Sequence, residues 1–139
     1  MPATARLDIA ITDRNPHVRE FLCRELAEIG HRAGALAGAA QLLEALSGNR
    51  PPQLVVLDPE AIGPRLAEVA KRLKAQAGRV SVVLHVFEGE EPPPGFEGAL
   101  MVEKEPHVGG LKAAVSALAA QLGTDGDRDA RREDTQERP

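Results

Sequence analysis

Apolar residues in this chain follow two rhythms that alternate along its length. Runs such as Leu54-Val55-Val56-Leu57 and residues 80–86 are nearly continuous, as in strands buried on both faces, whereas Val18, Leu22, Leu26 and Ile29 recur at helical spacing. Taken in order, Leu7 to Thr12 predicts a strand, and Asn15-Pro16 opens a helix that Gly30 stops, since Asn is a good N-cap and Pro suits the first helical position. Residues 31–35, with small Ala33, Gly34 and Ala35, predict a weak edge strand. Leu42, Leu43 and Leu46 mark a short helix ended by Ser47-Gly48-Asn49 and the Pro51-Pro52 break. After the strand at Leu54, Ile62-Gly63-Pro64 restarts a helix with Leu66, Val69, Ala70 and Leu73 as its buried face and Gly78 as its stop. Residues 80–86 and 98–103 predict two further strands, and Leu111, Ala114, Val115, Leu118 and Leu122 a closing helix. Between those two strands, Glu88 to Gly95 holds three consecutive prolines and cannot form a regular helix. Strands alternating with helices imply right-handed crossovers and a parallel sheet.

The first and third strands run directly into carboxylates, Asp13 and Asp58. Pro59 cannot extend the third strand as a ladder donor, so Asp58 is expected at its carboxyl end, facing the crevice where open α/β sheets bind ligands. The fifth strand delivers Lys104 to the same edge, and His85 stands near the end of the fourth.

Composition narrows what such an edge can serve. The only aromatics are Phe21, Phe87 and Phe96, so the core must rely on aliphatic residues and many alanines. A net charge of -4 gives no general attraction to nucleic acid or to anionic membrane, and neither is expected as a partner. Cys23 is the single cysteine, which excludes an internal disulfide. Residues 1–6 lack the apolar core of a signal peptide and no run approaches the ~20 residues of a membrane span, so a cytoplasmic protein is expected. Residues 1–122 are expected to form one domain. From 123 to 139 the sequence carries six acids and four arginines with Ala130 as its only aliphatic residue, which predicts a disordered tail or a partial extension of the last helix.

With five strands, aspartates ending the first and third, and a lysine ending the fifth, the chain resembles the receiver domains of two-component signalling, the chemotaxis-receiver family. The stretch Ile11-Thr12-Asp13-Arg14-Asn15-Pro16 is similar to that family's opening motif of an apolar residue, two acids, Asn and Pro. Asp13 matches the first acid, but Arg14 replaces the second. Asp58 matches the phosphoacceptor and Lys104 the lysine that reads the phosphoryl group. His85 stands where the family has Thr or Ser, and Met101 where it often has an aromatic switch residue. The resemblance implies a flavodoxin-like, doubly wound five-stranded sheet in the order 2-1-3-4-5, with the family's fourth helix shortened or replaced by the proline-rich loop. It also implies Mg²⁺, held by Asp13, Asp58 and the backbone carbonyl of Glu60 and weakened by Arg14.

Charge arithmetic bears on that metal. Asp13 and Asp58 contribute two negative charges, Arg14 and Lys104 two positive, so the site can be neutral without an ion, provided that Arg14 enters it rather than reaching into water along its stem. His85 has three readings: donor to Asp58 or to a phosphoryl oxygen, ligand of a softer metal, or strand-end residue satisfied by backbone. The resemblance implies a phosphorelay receiver, not an enzyme in the usual sense, with a histidine kinase or phosphotransfer protein upstream and an effector downstream. The alternative is a degenerate receiver acting as a phosphorylation-independent protein-binding module. No output domain is recognisable after the core, so any effect is expected to pass through another protein or through homodimerisation.

Overall fold

The computed structural model describes the backbone of residues 5–136 and the side chains of residues 5–123. Five parallel strands, β1 (Asp8–Thr12), β2 (Arg32–Leu36), β3 (Leu54–Leu57), β4 (Ser81–Val86) and β5 (Leu100–Glu103), form one sheet in the order β2-β1-β3-β4-β5. This is the flavodoxin-like arrangement the sequence predicts. Successive residues of a strand point to opposite faces, and the core divides accordingly. Ile9, Ile11, Leu54, Val56 and Val83 join one cluster with Leu22 and Leu26 of α1 (Pro16–Glu28) and Leu111 and Val115 of the last helix. Ala10, Val55, Leu57, Leu84 and Val86 join the other, with α2 (Ala39–Ser47) and the later helix that carries Val69, Ala70 and Leu73.

After β3 the helix restarts at Ile62-Gly63-Pro64 as expected, and a short turn not predicted from the sequence precedes it. Asp58 caps a short turn, α3 (Pro59–Ile62), accepting the Glu60 N–H at 3.2 Å, and Pro59 supplies a preset φ at its first position. Gly63, at φ +69°, ends that turn, and a 3₁₀ segment (Gly63–Arg65) leads into α4 (Leu66–Ala75). No helix lies between β4 and β5. The proline-rich loop crosses that face instead and inserts Phe96, 4% exposed, against Ala70 and Leu73. The last helix, α5 (Gly109–Gln136), carries the backbone past Gly123, so of the tail expected over 123–139 the backbone to Gln136 is helical, while the side chains from 124 on and residues 137–139 lie outside the described residues.

Candidate functional site

Strand register brings the ends of β1 and β3 together, and Thr12 ties them. Its hydroxyl donates to the Val56 carbonyl at 3.2 Å and accepts the Asp58 N–H at 3.1 Å. Beyond Thr12 the chain turns tightly, with the Asn15 N–H donating to Asp13 Oδ1 at 2.9 Å while the Asn15 side chain caps α1 by accepting from His17 and Val18. Both carboxylates are thereby held by backbone and buried, Asp13 at 2% and Asp58 at 0% exposure.

One ammonium joins them. Lys104, at the end of β5, places Nζ 3.0 Å from Asp13 Oδ2 and 3.0 Å from Asp58 Oδ2. Arg14 enters the same site: Nε donates to Asp58 Oδ2 at 3.1 Å and one terminal nitrogen to Oδ1 at 3.0 Å, a bidentate fork, while the other terminal nitrogen pairs with the exposed Glu60 carboxylate. The Arg14 N–H adds a bond to Asp58 Oδ2 at 3.2 Å. Burial pushes the Asp58 carboxyl up, but the hydrogen bonds from Arg14 and then Lys104 overcome it and hold the pKa down at about 2. Of the two paths open to Arg14, the fork is the one observed.

His85 is buried in this edge, and its Nδ1 has no hydrogen-bond partner. Burial, reinforced by Lys104 and opposed by Asp13 and Asp58, holds its pKa below the ordinary value and keeps the ring neutral. Backbone does not satisfy Nδ1, and no hydrogen bond joins the ring to Asp58. Glu60 contributes its N–H to Asp58 and its carboxylate to Arg14.

Three participants were not singled out from the sequence. Phe87 lays its ring over both cations, its centroid 5.1 Å from Arg14 Cζ and 4.8 Å from Lys104 Nζ. Thr12 is the tie described above, and Arg19 donates to the Asp13 carbonyl at 2.8 Å. Arg19 lies one helical turn after the Asn15 cap, a spacing that could have flagged it. Nothing in the local sequence points to Phe87, which reaches the site across strands.

The donor set does not suit Mg²⁺ as it stands. That ion demands near-octahedral oxygen ligation, whereas both oxygens of Asp58 are engaged by cations, and among the described residues no group of three or more His, Cys, Asp or Glu could hold a metal. An ion would have to displace Arg14.

No protein-family model and no curated protein matches the sequence. Solved structures do match its fold. The response regulator TrrA from Thermotoga maritima, in complex with Mg²⁺-BeF, is 27% identical with a TM-score of 0.67, over 79% of this chain and 96% of that one. A structure of the histidine kinase ThkA with TrrA matches at 28% identity and TM-score 0.64, again over 79% and 96%. The receiver domain of NtrX from Brucella abortus is 26% identical with a TM-score of 0.66, over 82% of this chain and 98% of that one. Against a longer NtrX chain the match spans 30% of that chain's length, at 22% identity.

Proposed function

We propose that this chain, a response-regulator receiver domain, serves two-component signalling as a protein-binding module whose acceptor site is neutralised from within rather than by Mg²⁺ and phosphate. The carrying observation is the state of Asp58. Its carboxylate accepts five hydrogen bonds, from the Arg14 N–H, Nε and a terminal nitrogen, from the Glu60 N–H and from Lys104 Nζ. A carboxylate offers about four lone-pair sites, so none is left to attack phosphorus. Transfer to an aspartate depends on a cation and a metal screening the incoming oxygens, and here the screening charge is spent on Asp58 itself. Arg14 stands in for the ion, and the signal is read as a fixed surface by a protein partner. The ThkA structure includes a histidine kinase with its receiver; a kinase, phosphotransfer protein or effector is the corresponding class of partner here. Among the described residues no helix is long and apolar enough to cross a membrane.

A second reading, in which Asp58 accepts a phosphoryl group, is favoured by Lys104 lying 3.0 Å from both carboxylates. Titration with Mg²⁺ and beryllofluoride, followed by amide NMR shifts, separates the two. The native chain is expected to show no saturable shifts, and Arg14→Asp, which exchanges a cation for an oxygen ligand, to gain Mg²⁺ affinity by calorimetry. Saturable shifts around Asp58 in the native chain would establish the second reading instead.

A further inference from the structure

A strand at the edge of a sheet leaves backbone donors and acceptors without partners, and natural sheets blunt such edges with prolines, charges, bulges or covering elements. Strand β2 has no proline and no bulge, and its one charge, Arg32, stands at its start. Among the described residues it pairs with β1 alone, and Arg32, Gly34 and Ala35 are exposed. The Arg32 N–H donates inward to the Leu7 carbonyl at 2.9 Å, so the alternate residues Ala33 and Ala35 turn their N–H and C=O groups to the open side. Gly34, between them, has no internal reason to be glycine. Its φ is not left-handed, and a Cβ added there would meet nothing within 4 Å. Glycine inside a strand often marks the close approach of another backbone. An antiparallel strand bonded to Ala33 and Ala35 would put Gly34 at the non-hydrogen-bonded position, where opposed Cα atoms come within about 4.5 Å.

We infer that β2 receives an extended segment of a partner protein as an antiparallel sixth strand, with an apolar residue opposite Gly34 and, two residues later, an acidic residue opposite Arg32. In such strand addition the main-chain bonds give affinity and pockets for alternate side chains give specificity, and doubly wound sheets commonly carry an antiparallel edge strand. The pocket is present. Leu36 packs with the α2 cluster, so residues 32, 34 and 36 share that face, where a hollow of ≈ 350 Å³ has Ala10, Leu36, Ala45 and Pro52 as its apolar lining. Gly34 lines it too, and with no side chain there the hollow stays open to the edge. The acid follows from charge. Arg32 and Arg50 line the same hollow, and neither forms an ion pair among the described residues. Asp8, the one acid of the lining, stands beside Arg32 in register without pairing with it, which leaves a net positive charge for the partner's carboxylate. Asp58 lies at the other ends of the strands, so this inference does not rest on its state.

The test is a titration of the full chain with the peptide acetyl-Thr-Val-Thr-Leu-Thr-Glu-Thr-amide and, separately, with the same peptide carrying Lys in place of Glu, read by amide NMR and hydrogen exchange. The Glu peptide is expected to bind saturably with a Kd on the order of 1 mM and to slow exchange at Ala33 and Ala35. The Lys peptide should bind about 5-fold more weakly, for want of the cross-strand ion pair. Gly34→Val places a strand-favouring side chain where the free chain has open space, so it should keep the fold and weaken the Glu peptide about 5-fold or more. Arg32→Glu should reverse the order of the two peptides; if that variant does not fold, the peptide pair and Gly34→Val carry the decision. Protection of Ala33 and Ala35 that grows with protein concentration in the absence of peptide would assign the edge to a second copy and overturn the inference. Equal affinity for the two peptides, unchanged exchange at Ala33 and Ala35, unchanged binding in Gly34→Val, or no saturation by ~10 mM would each overturn it as well.

Discussion

The two halves of the crevice are built by opposite means. Where β1 and β3 end, polar groups are abundantly partnered: Thr12 ties the strands, and Asp58 is surrounded by donors. Where β4 and β5 end, a neutral histidine lacks a partner, no helix follows β4, and the chain is held down by single apolar anchors, Phe96 inside and Phe87 outside. The first half depends on charge state and direction, the second on shape. The first should therefore respond to acid through its carboxylate, and the second to truncation and to protonation of its histidine.

The largest effect is expected from Phe96→Ala. Phe96 does the work of an absent helix against Ala70 and Leu73, so its loss should cost ~3–5 kcal/mol in urea unfolding. A loss below ~1 kcal/mol would mean that the loop is merely draped over the sheet, and the comparison would collapse.

Acid should unpick the other half. The Asp58 pKa is about 2 in the fold against 3.8 ordinarily, so the unfolded chain takes up the proton first. This stability is complete above pH 3.8 and lost as pH falls through about 2, amounting to about 2 kcal/mol. Asp58→Asn should flatten that stretch of the stability profile. An earlier decline should begin below pH 6.5, because burial holds both His31 and His85 below that ordinary value and the unfolded chain again binds protons first. His31 Nδ1 accepts the Leu7 N–H at 3.1 Å, and protonation removes that acceptor, so His31→Gln should change the decline near neutrality and leave the Asp58 descent in place.

Gly95→Ala probes how closely the loop seats Phe96. Gly95 has φ +93°, and an added Cβ would stand 2.9 Å from the Ala70 Cβ. A loss of about 1–2 kcal/mol is expected from the backbone conformation, with the close approach adding to it. Thermal unfolding beside Gly98→Ala, which has a similar φ but open space, isolates the contact. The smallest effect belongs to Phe87→Leu, a side chain that, like Lys104, touches both halves. Losing its ring over Arg14 and Lys104 should cost ~0.5–1 kcal/mol at this exposed site. A cost equal to that of Phe96→Ala would show that the halves are not distinct.

Local pattern determined the elements here because strand and helix periods are properties of neighbouring residues. The run Leu54–Leu57 flanked by Gln53 and Asp58, the Asn15-Pro16 start and the prolines at 92–94 each act within a few positions, and strand-end position alone brought Asp13, Asp58 and Lys104 to one edge. The helix that restarts at Gly63 was legible, whereas the short turn before it was not, because Asp58 serves as both site residue and cap. What only the tertiary structure decided were contacts between residues far apart in sequence and close in space. Arg14 had two paths from one backbone position, and the choice depended on Asp58 and Glu60 more than forty residues away. Phe96 and Phe87 belong to one loop of uniform appearance. One is buried and the other lies over two cations because the sheet leaves an uncovered hollow on one face and a charged crevice at its edge, features that no local periodicity contains.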